Sequence, residues 1–248
     1  MKLKSLIIYL IITLGLNFTT VNAQQTKECA ESLSRAFFNF NQTLDKGAIL
    51  PTAKIYNKLP EPVKTASGNF FRNIGRLLSV PTNLLQGDIS AAGDNLGGFM
   101  FNIVLGAGGL SDPATELGSK NKKEDFGQVL GFWGVDEGCY FVLPILGPTT
   151  IRDGIGMLGD RAIDPFARFT LKSKSFSNGD INGEPADYYG VKIGGVVDFR
   201  ADNITSFDSL EKNSLDLYSS FKSIYLQDRE NKINNKTSDE SDWEDFAK

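Results

Sequence analysis

Sixteen of this chain's 25 glycines lie between positions 87 and 159, in a chain of 248 residues. Inside a helix each glycine costs about 1 kcal/mol relative to alanine. A stretch this rich in glycine cannot hold one long rigid element and must be built from short helices joined by bends. Leu105-Gly-Ala-Gly-Gly-Leu110 is the clearest bend. Before it, Gly87 interrupts the chain and Asp88 is placed to cap a helix. Ile89, Ala92, Leu96, Phe99, Met100, Ile103 and Val104 then recur at helical spacing, with Asp88, Ser90, Asp94 and Asn102 on the opposite side. After the bend, Ser111 or Asp112 before Pro113 marks a new helix start. Glu124-Asp125 before Phe126 marks another, ending near Gly131 or Gly134. Thr149 and Thr150 can cap a segment through Ile151, Ile155 and Leu158 that Pro165 closes.

The flanks are helical as well. Leu33, Phe37, Phe40 and Leu44 predict a helix that Gly47 and Pro51 should end. Val63, Phe70, Ile74, Leu77, Leu78, Leu84 and Leu85 predict a second, with Pro62 near its start and Pro81 expected to kink or split it. Positions 173–185 are polar and contain glycine, a loop. Two helices follow, over about 186–203 and 207–229; Phe207, Leu210, Leu217, Phe221, Ile224 and Tyr225 share one face of the latter. No run alternates convincingly as a strand, so the expected class is mainly α, in one domain.

The first 23 residues read as a secretory signal: Lys2 and Lys4, an apolar run over 5–16, then the small-x-small pattern Val21-Asn22-Ala23. A spanning helix needs about 20 apolar residues, whereas this run ends in Asn17, Thr19, Thr20 and Asn22. No other stretch is long enough, so the chain is expected in the periplasm or at a membrane face. Cys29 and Cys139 can pair in an oxidising compartment or stay free, because spacing gives no distance between them. Thr26-Lys27-Glu28 before Cys29 is not the Leu-small-small pattern of a lipoprotein signal, and lipidation there is not expected. Positions 232–248, with Asp239, Glu240, Asp242, Glu244 and Asp245, should form a solvated acidic tail. The folded domain is thus expected over 24–231.

Several function classes fall away. With no histidine, Ser-His-Asp and Cys-His catalysis and His-ligated metals are excluded. A net charge of −4 offers no general cationic field for nucleic acid. Gly106-x-Gly108-Gly109 lacks the order of a dinucleotide loop, and Gly109-Leu-Ser111-Asp-Pro113 lacks the last glycine of a nucleophile elbow. Asp94, Asp112, Asp125, Asp153 and Asp160 read as caps or polar-face residues. Arg152-Asp153 and Asp160-Arg161 read as local ion pairs or helix-surface charges, worth little if exposed. No catalytic residue, metal or cofactor is expected. The apolar stripe over 89–104 has two readings: it packs on a core, or it faces a membrane.

Longer motifs carry a resemblance. Asn69-Phe-Phe-Arg-Asn-Ile-Gly75, Asn83-Leu-Leu-Gln-Gly87, Phe101-Asn-Ile-Val-Leu-Gly-Ala-Gly-Gly-Leu110, Asp112-Pro113, Glu124-Asp-Phe-Gly-Gln128, Leu130-Gly-Phe-Trp-Gly-Val135 and Tyr140-Phe-Val-Leu-Pro-Ile-Leu-Gly-Pro148 with Arg152-Asp153 resemble the MlaA/VacJ family. Positions 35–41 and 208–229 are similar to its N-terminal and C-terminal segments. The resemblance implies a ring-shaped helical body of short amphipathic helices in the inner leaflet of the outer membrane, at its periplasmic face. It implies a non-enzymatic role: removing mislocalised phospholipids from the outer leaflet through an amphipathic channel and passing them to a soluble periplasmic lipid carrier. A trimeric outer-membrane porin is the implied partner. Ile89, Leu96, Phe99, Met100, Ile103, the bend at Gly106, Gly108 and Gly109, and Arg152 with Asp153 are the lipid-path candidates. Family members are typically lipoproteins, which this chain's Cys29 context does not match. A soluble periplasmic lipid-binding or envelope-assembly adaptor is the alternative.

Overall fold

A computed structural model describes residues 27–167 and 185–234. The expected signal segment, positions 173–184 of the expected loop, and positions 235–248 of the expected tail lie outside the described residues. Pro185, assigned above to the loop, opens a helix.

The chain starts with helix α1 (Glu31–Leu44), a π-helical turn (Asp45–Ile49) and α2 (Leu50–Tyr56). Gly47 and Pro51 therefore do not end the first helix. The wider π turn bonds Leu50 N–H to the Asp45 carbonyl, and Pro51 then stands in the first turn of α2, where its missing N–H costs nothing. Helix α3 (Glu61–Gln86) likewise runs through Pro81 unbroken. On either side of the proline, the Ser79 and Thr82 hydroxyls donate to the Gly75 and Ser79 carbonyls. Gly87, with φ of 82°, ends α3 in the left-handed conformation that glycine adopts without strain.

Helices α4 (Ile89–Leu105), α5 (Pro113–Glu116) and α6 (Phe126–Phe132) begin on carboxylate caps: Asp88, Asp112 and Asp125 accept from Ala91, Thr115 and Gln128 N–H. Between α6 and the next helix stands a hairpin of β1 (Tyr140–Leu143) and β2 (Gly147–Thr150), antiparallel, with Tyr140 opposite Thr150. Sequence reading missed it, because all four β1 residues are apolar and hide the alternation that buries Tyr140 and Val142. Thr150 caps α7 (Ile151–Ile163) through Asp153 N–H. Helix α8 (Pro185–Asp202) follows.

The single helix expected over 207–229 is two, α9 (Ile204–Asn213) and α10 (Leu217–Ile233). Asp216 caps α10 by accepting from Tyr218 N–H. The break lets Phe207 meet both Phe199 and Phe221, and Phe221 in turn meets Phe38 of α1. Phe38, Tyr140, Val142 and Tyr218 make the one apolar cluster of buried side chains among the described residues, tying α1 and α10 to the hairpin. Cys29 and Cys139 are joined beside it, with Cα atoms 5.3 Å apart. Among the described residues no helix is long and apolar enough to cross a membrane.

Candidate functional site

Most of the remaining interior is polar. One face of α3 carries Asn69, Asn73, Arg76, Ser79, Asn83 and Gln86, spaced three or four residues apart and all buried, with Arg76 at 0% exposure. This face meets Asn95 and Asn102 of α4. Asn95 donates to Asn83 Oδ1 (2.7 Å) and the Lys122 carbonyl (2.8 Å); Asn102 donates to Asn73 Oδ1 (3.2 Å) and Asp112 Oδ1 (2.8 Å). Arg76 holds α5 through Thr115 Oγ1 (2.7 Å) and the segment after it through the Lys120 carbonyl (2.9 Å). Thr82 and Gln86 hold Glu124. Side-chain amides and hydroxyls bind helix to helix here, as they do in proteins whose exterior is hydrocarbon.

The apolar stripe of α4 points the other way. Ile89 is 75% exposed, and Leu96, Met100, Ile103 and Val104 are exposed with it. The buried side is Ala91, Ala92, Asn95, Gly98 and Asn102. The core-packing reading fails for these large side chains, whereas Ala92 of the same stripe is buried; Asn102, placed with Asp94 opposite the stripe, is buried while Asp94 is exposed. Large apolar side chains are also exposed on α7 (Ile151, Ile155, Leu158), on α8 (Ile193, Val196) and at the hairpin tip (Ile145, Leu146). Exposed large apolar side chains in this number mark surfaces made for lipid or protein.

A second polar assembly joins α6, α7 and α10. Arg229 donates to Asp153 through Nε (3.1 Å) and Nη2 (2.9 Å), and to Asp125 through Nη2 (2.8 Å) and Nη1. Tyr225 (2.6 Å) and Arg152 (3.0 Å) also donate to Asp153. Burial would raise the Asp125 carboxyl, but paired hydrogen bonds and charge from Arg229 outweigh it and hold the group at about 2. Asp153 is lowered in the same way, burial being outweighed by the Arg229 charge and by bonds from Tyr225, Arg229 and Arg152. Glycines allow the close crossing of α6 and α7: a Cβ on Gly156 would stand 2.5 Å from the Gly127 nitrogen.

Residues 26–232 match the family described as MlaA lipoprotein. This chain belongs to the MlaA family. It is 30% identical to the intermembrane phospholipid transport system lipoprotein MlaA of Haemophilus influenzae, over 94% of this chain and 92% of that one. It is 26% identical to the protein of the same description from Shigella flexneri, over 92% and 86% of the two chains. A solved structure described as the structural basis for maintenance of bacterial outer membrane lipid asymmetry superposes with a TM-score of 0.67 at 27% identity. That match covers 84% of this chain and all of the other.

In this MlaA-family fold the sequence candidates divide. Ile89, Leu96, Met100 and Ile103 share one exposed apolar face, with Phe99 half-buried at its edge. The bend at Gly106, Gly108 and Gly109 closes over α3, where a Cβ on Gly109 would meet Asn73 Nδ2 at 2.7 Å. Gly108 (φ 78°) and Gly109 (φ 90°) are both left-handed, but Gly108 has open space around it. Gly108→Ala should therefore cost about 1–2 kcal/mol of backbone strain, and Gly109→Ala measurably more. Chemical denaturation of the two variants in detergent checks this; equal losses would show that Asn73 yields freely.

Arg152 and Asp153 belong to the second assembly and not to the α4 face; they form the local ion pair expected (3.0 Å), but at 5% exposure each it is buried rather than on the helix surface. Nothing in the spacing of residues 125, 153 and 229 could have brought them together. Asp160 is also not simply a partner of Arg161: it accepts from Phe126 N–H (2.8 Å), while Arg161 lies over the Tyr188 ring. Burial raises the Asp160 carboxyl to about 6. A raised acid stabilises the fold fully below its unfolded value of about 3.9 and loses that contribution as pH rises through about 6. Asp160→Asn keeps an acceptor for Phe126, so at pH 7 it should gain about 1–2 kcal/mol after solvent screening. It should also flatten stability between about pH 4 and 6. Denaturant midpoints at pH 5 and pH 7 test both.

Proposed function

We propose that this chain transports phospholipid in the bacterial envelope, removing mislocalised phospholipid from the outer leaflet of the outer membrane and so maintaining its lipid asymmetry. The observation that carries this reading is the inverted packing of α3 and α4: amides and a guanidinium inside, isoleucine, leucine and methionine outside. Such a body is stable where its exterior meets acyl chains, and polar groups gathered inward lower the cost of moving a headgroup through hydrocarbon. Membership of the MlaA family, and relatives described as phospholipid transport lipoproteins, point to the same role. In this reading the helices form a ring seated in the inner leaflet at the periplasmic face, as short amphipathic helices can. The exposed α4 face meets lipid tails. A soluble periplasmic carrier receives the lipid and a trimeric porin holds the body in place. The role is non-catalytic.

The pairing of Cys29 with Cys139 bears on anchoring. A sulfur engaged in a disulfide cannot carry a lipid thioether. The apolar exterior and a porin partner, rather than a lipid on Cys29, hold the protein at the membrane. Membrane fractionation is the first check, since recovery of all the protein in the soluble fraction would favour the adaptor role. The deciding test is the phospholipid exposed on the outer cell surface with and without the gene. Deletion should raise it and restoring the intact gene should reverse the rise; no change in cells with an otherwise normal outer membrane would sink the transport reading.

A further inference from the structure

Helix α4 leaves a groove of about 220 Å³ against the segment that follows α5. Gly93, Gly97 and Gly98 line it from α4, and Phe101 and Leu117 supply apolar walls. Asp94 and Ser119 supply a polar rim, the Ser119 hydroxyl donating to the Asp94 carbonyl (3.2 Å). Sites that enclose a whole small molecule measure about 300–1,000 Å³. A groove this small takes part of a larger molecule; elsewhere on the same helix Leu96 and Met100 are exposed.

Charge lies behind the groove. Arg76 is fully buried, and its Nη1 would stand 2.6 Å from a Cβ on Gly98. Its Nε has no partner among the described residues, and the carboxylate paired with the guanidinium, Asp112, is 3.8 Å away. A buried cation beneath an apolar groove favours a ligand that is apolar along its length and anionic at one point. The exposed Asp94 carboxylate at the rim suits a headgroup that also carries an amine.

We propose that this groove seats one acyl chain of a zwitterionic aminophospholipid, with the phosphate over Gly98 and the amine at Asp94. The inference rests on the phospholipid-transport reading above and gives it a specific seat. Gly93 and Gly97 are the decisive positions. A Cβ at either meets nothing within 4 Å, so a larger side chain there fills the groove without entering the fold. At Gly98 the same change strikes Arg76 and Ser119.

The test uses the full chain reconstituted into vesicles containing phosphatidylethanolamine with a photoactivatable diazirine on its acyl chain. Cross-links are mapped by mass spectrometry. In the wild type they should concentrate on the peptides holding Phe101 and Leu117. Gly97→Leu should lower them at least tenfold and Gly97→Ala less, with labelling near Leu158 of α7 unchanged. The same label on phosphatidylglycerol should give fewer cross-links at the groove; equal labelling would refute the headgroup assignment. Undiminished labelling in Gly97→Leu, or labelling spread evenly over the apolar exterior, overturns the groove and leaves the transport reading standing. Absence of labelling anywhere on the wild type defeats both. If Gly97→Leu does not fold, Gly93→Leu gives the same reading from the other open position.

Discussion

Arg229→Met should destabilise the fold by about 3–5 kcal/mol, the usual cost of removing one partner from a buried ion pair. The cost arises from what is left behind. Asp153 is 5% exposed and takes two hydrogen bonds from the guanidinium; without them, Tyr225 and Arg152 remain to satisfy it. Asp125 loses the group that holds it at about 2. A depressed carboxyl contributes stability above its unfolded value of about 3.9 and loses it as pH falls toward 2. The wild type should therefore weaken between about pH 4 and 2, and Arg229→Met should lose that acid dependence. Denaturant unfolding of both proteins across this range measures the two effects together. A companion Asp125→Asn change in the Arg229→Met background should recover part of the loss by removing the carboxylate left without its cation. A loss below about 1 kcal/mol would place the cluster with solvent-screened surface pairs.

Replacing both Cys29 and Cys139 by alanine should cost roughly 4–5 kcal/mol, because the bond closes a loop across a sequence separation of 110 residues. In the chain-entropy account most of this appears as greater freedom of the unfolded chain. The native contacts are expected to survive in part. Cys29 N–H still donates to the Tyr140 carbonyl (3.1 Å), Tyr140 N–H to the Lys27 carbonyl (2.8 Å), and Phe38 still packs on Tyr218. A reductant should lower the thermal midpoint of the wild type to that of the double alanine variant and leave the variant unmoved. Insensitivity of the wild type to reductant would mean that the two sulfurs are not joined in the folded protein.

Helix starts were the most legible part of this fold. The starts at Asp88, at Ser111 or Asp112 before Pro113, at Glu124-Asp125 and at Thr149-Thr150 were all recognisable, with the structure selecting Asp112, Asp125 and Thr150 as the caps, because a carboxylate or hydroxyl satisfying the first free N–H groups is a matter of three or four neighbouring residues. The bend at 105–110 was legible for the same local reason. Proline was misread at Pro51, where a π turn absorbed what single-residue rules treat as a stop; at Pro81, where a kink or a split was expected, α3 is not split. The hairpin and the break at Asp216 were invisible, since both are settled by partners far along the chain: Ser34 and Asn41 against the hairpin, Arg35 against Asp216.

The candidate site was legible as a list and not as an arrangement. Periodicity placed Ile89, Leu96, Met100 and Ile103 on one face, and that grouping holds. It could not say which way the face points, because a hydrophobic stripe has the same spacing whether it meets a core or a lipid tail. Nor could it show that Asn69, Asn73, Arg76, Asn83 and Gln86 form an inner ladder, since polar residues on a helix are expected to meet water.

The sequence by itself determined where most helices begin, that glycine breaks the middle of the chain into short pieces, and that chemistry needing histidine is absent. These follow from local hydrogen bonding, backbone entropy and composition. Only the tertiary structure decided that between α3 and α4 polar side chains go inward and large apolar ones of α4 outward, and that Asp125, Asp153 and Arg229 meet. Those outcomes depend on which surfaces find each other and on what surrounds them, and neither is written in the spacing of neighbouring residues.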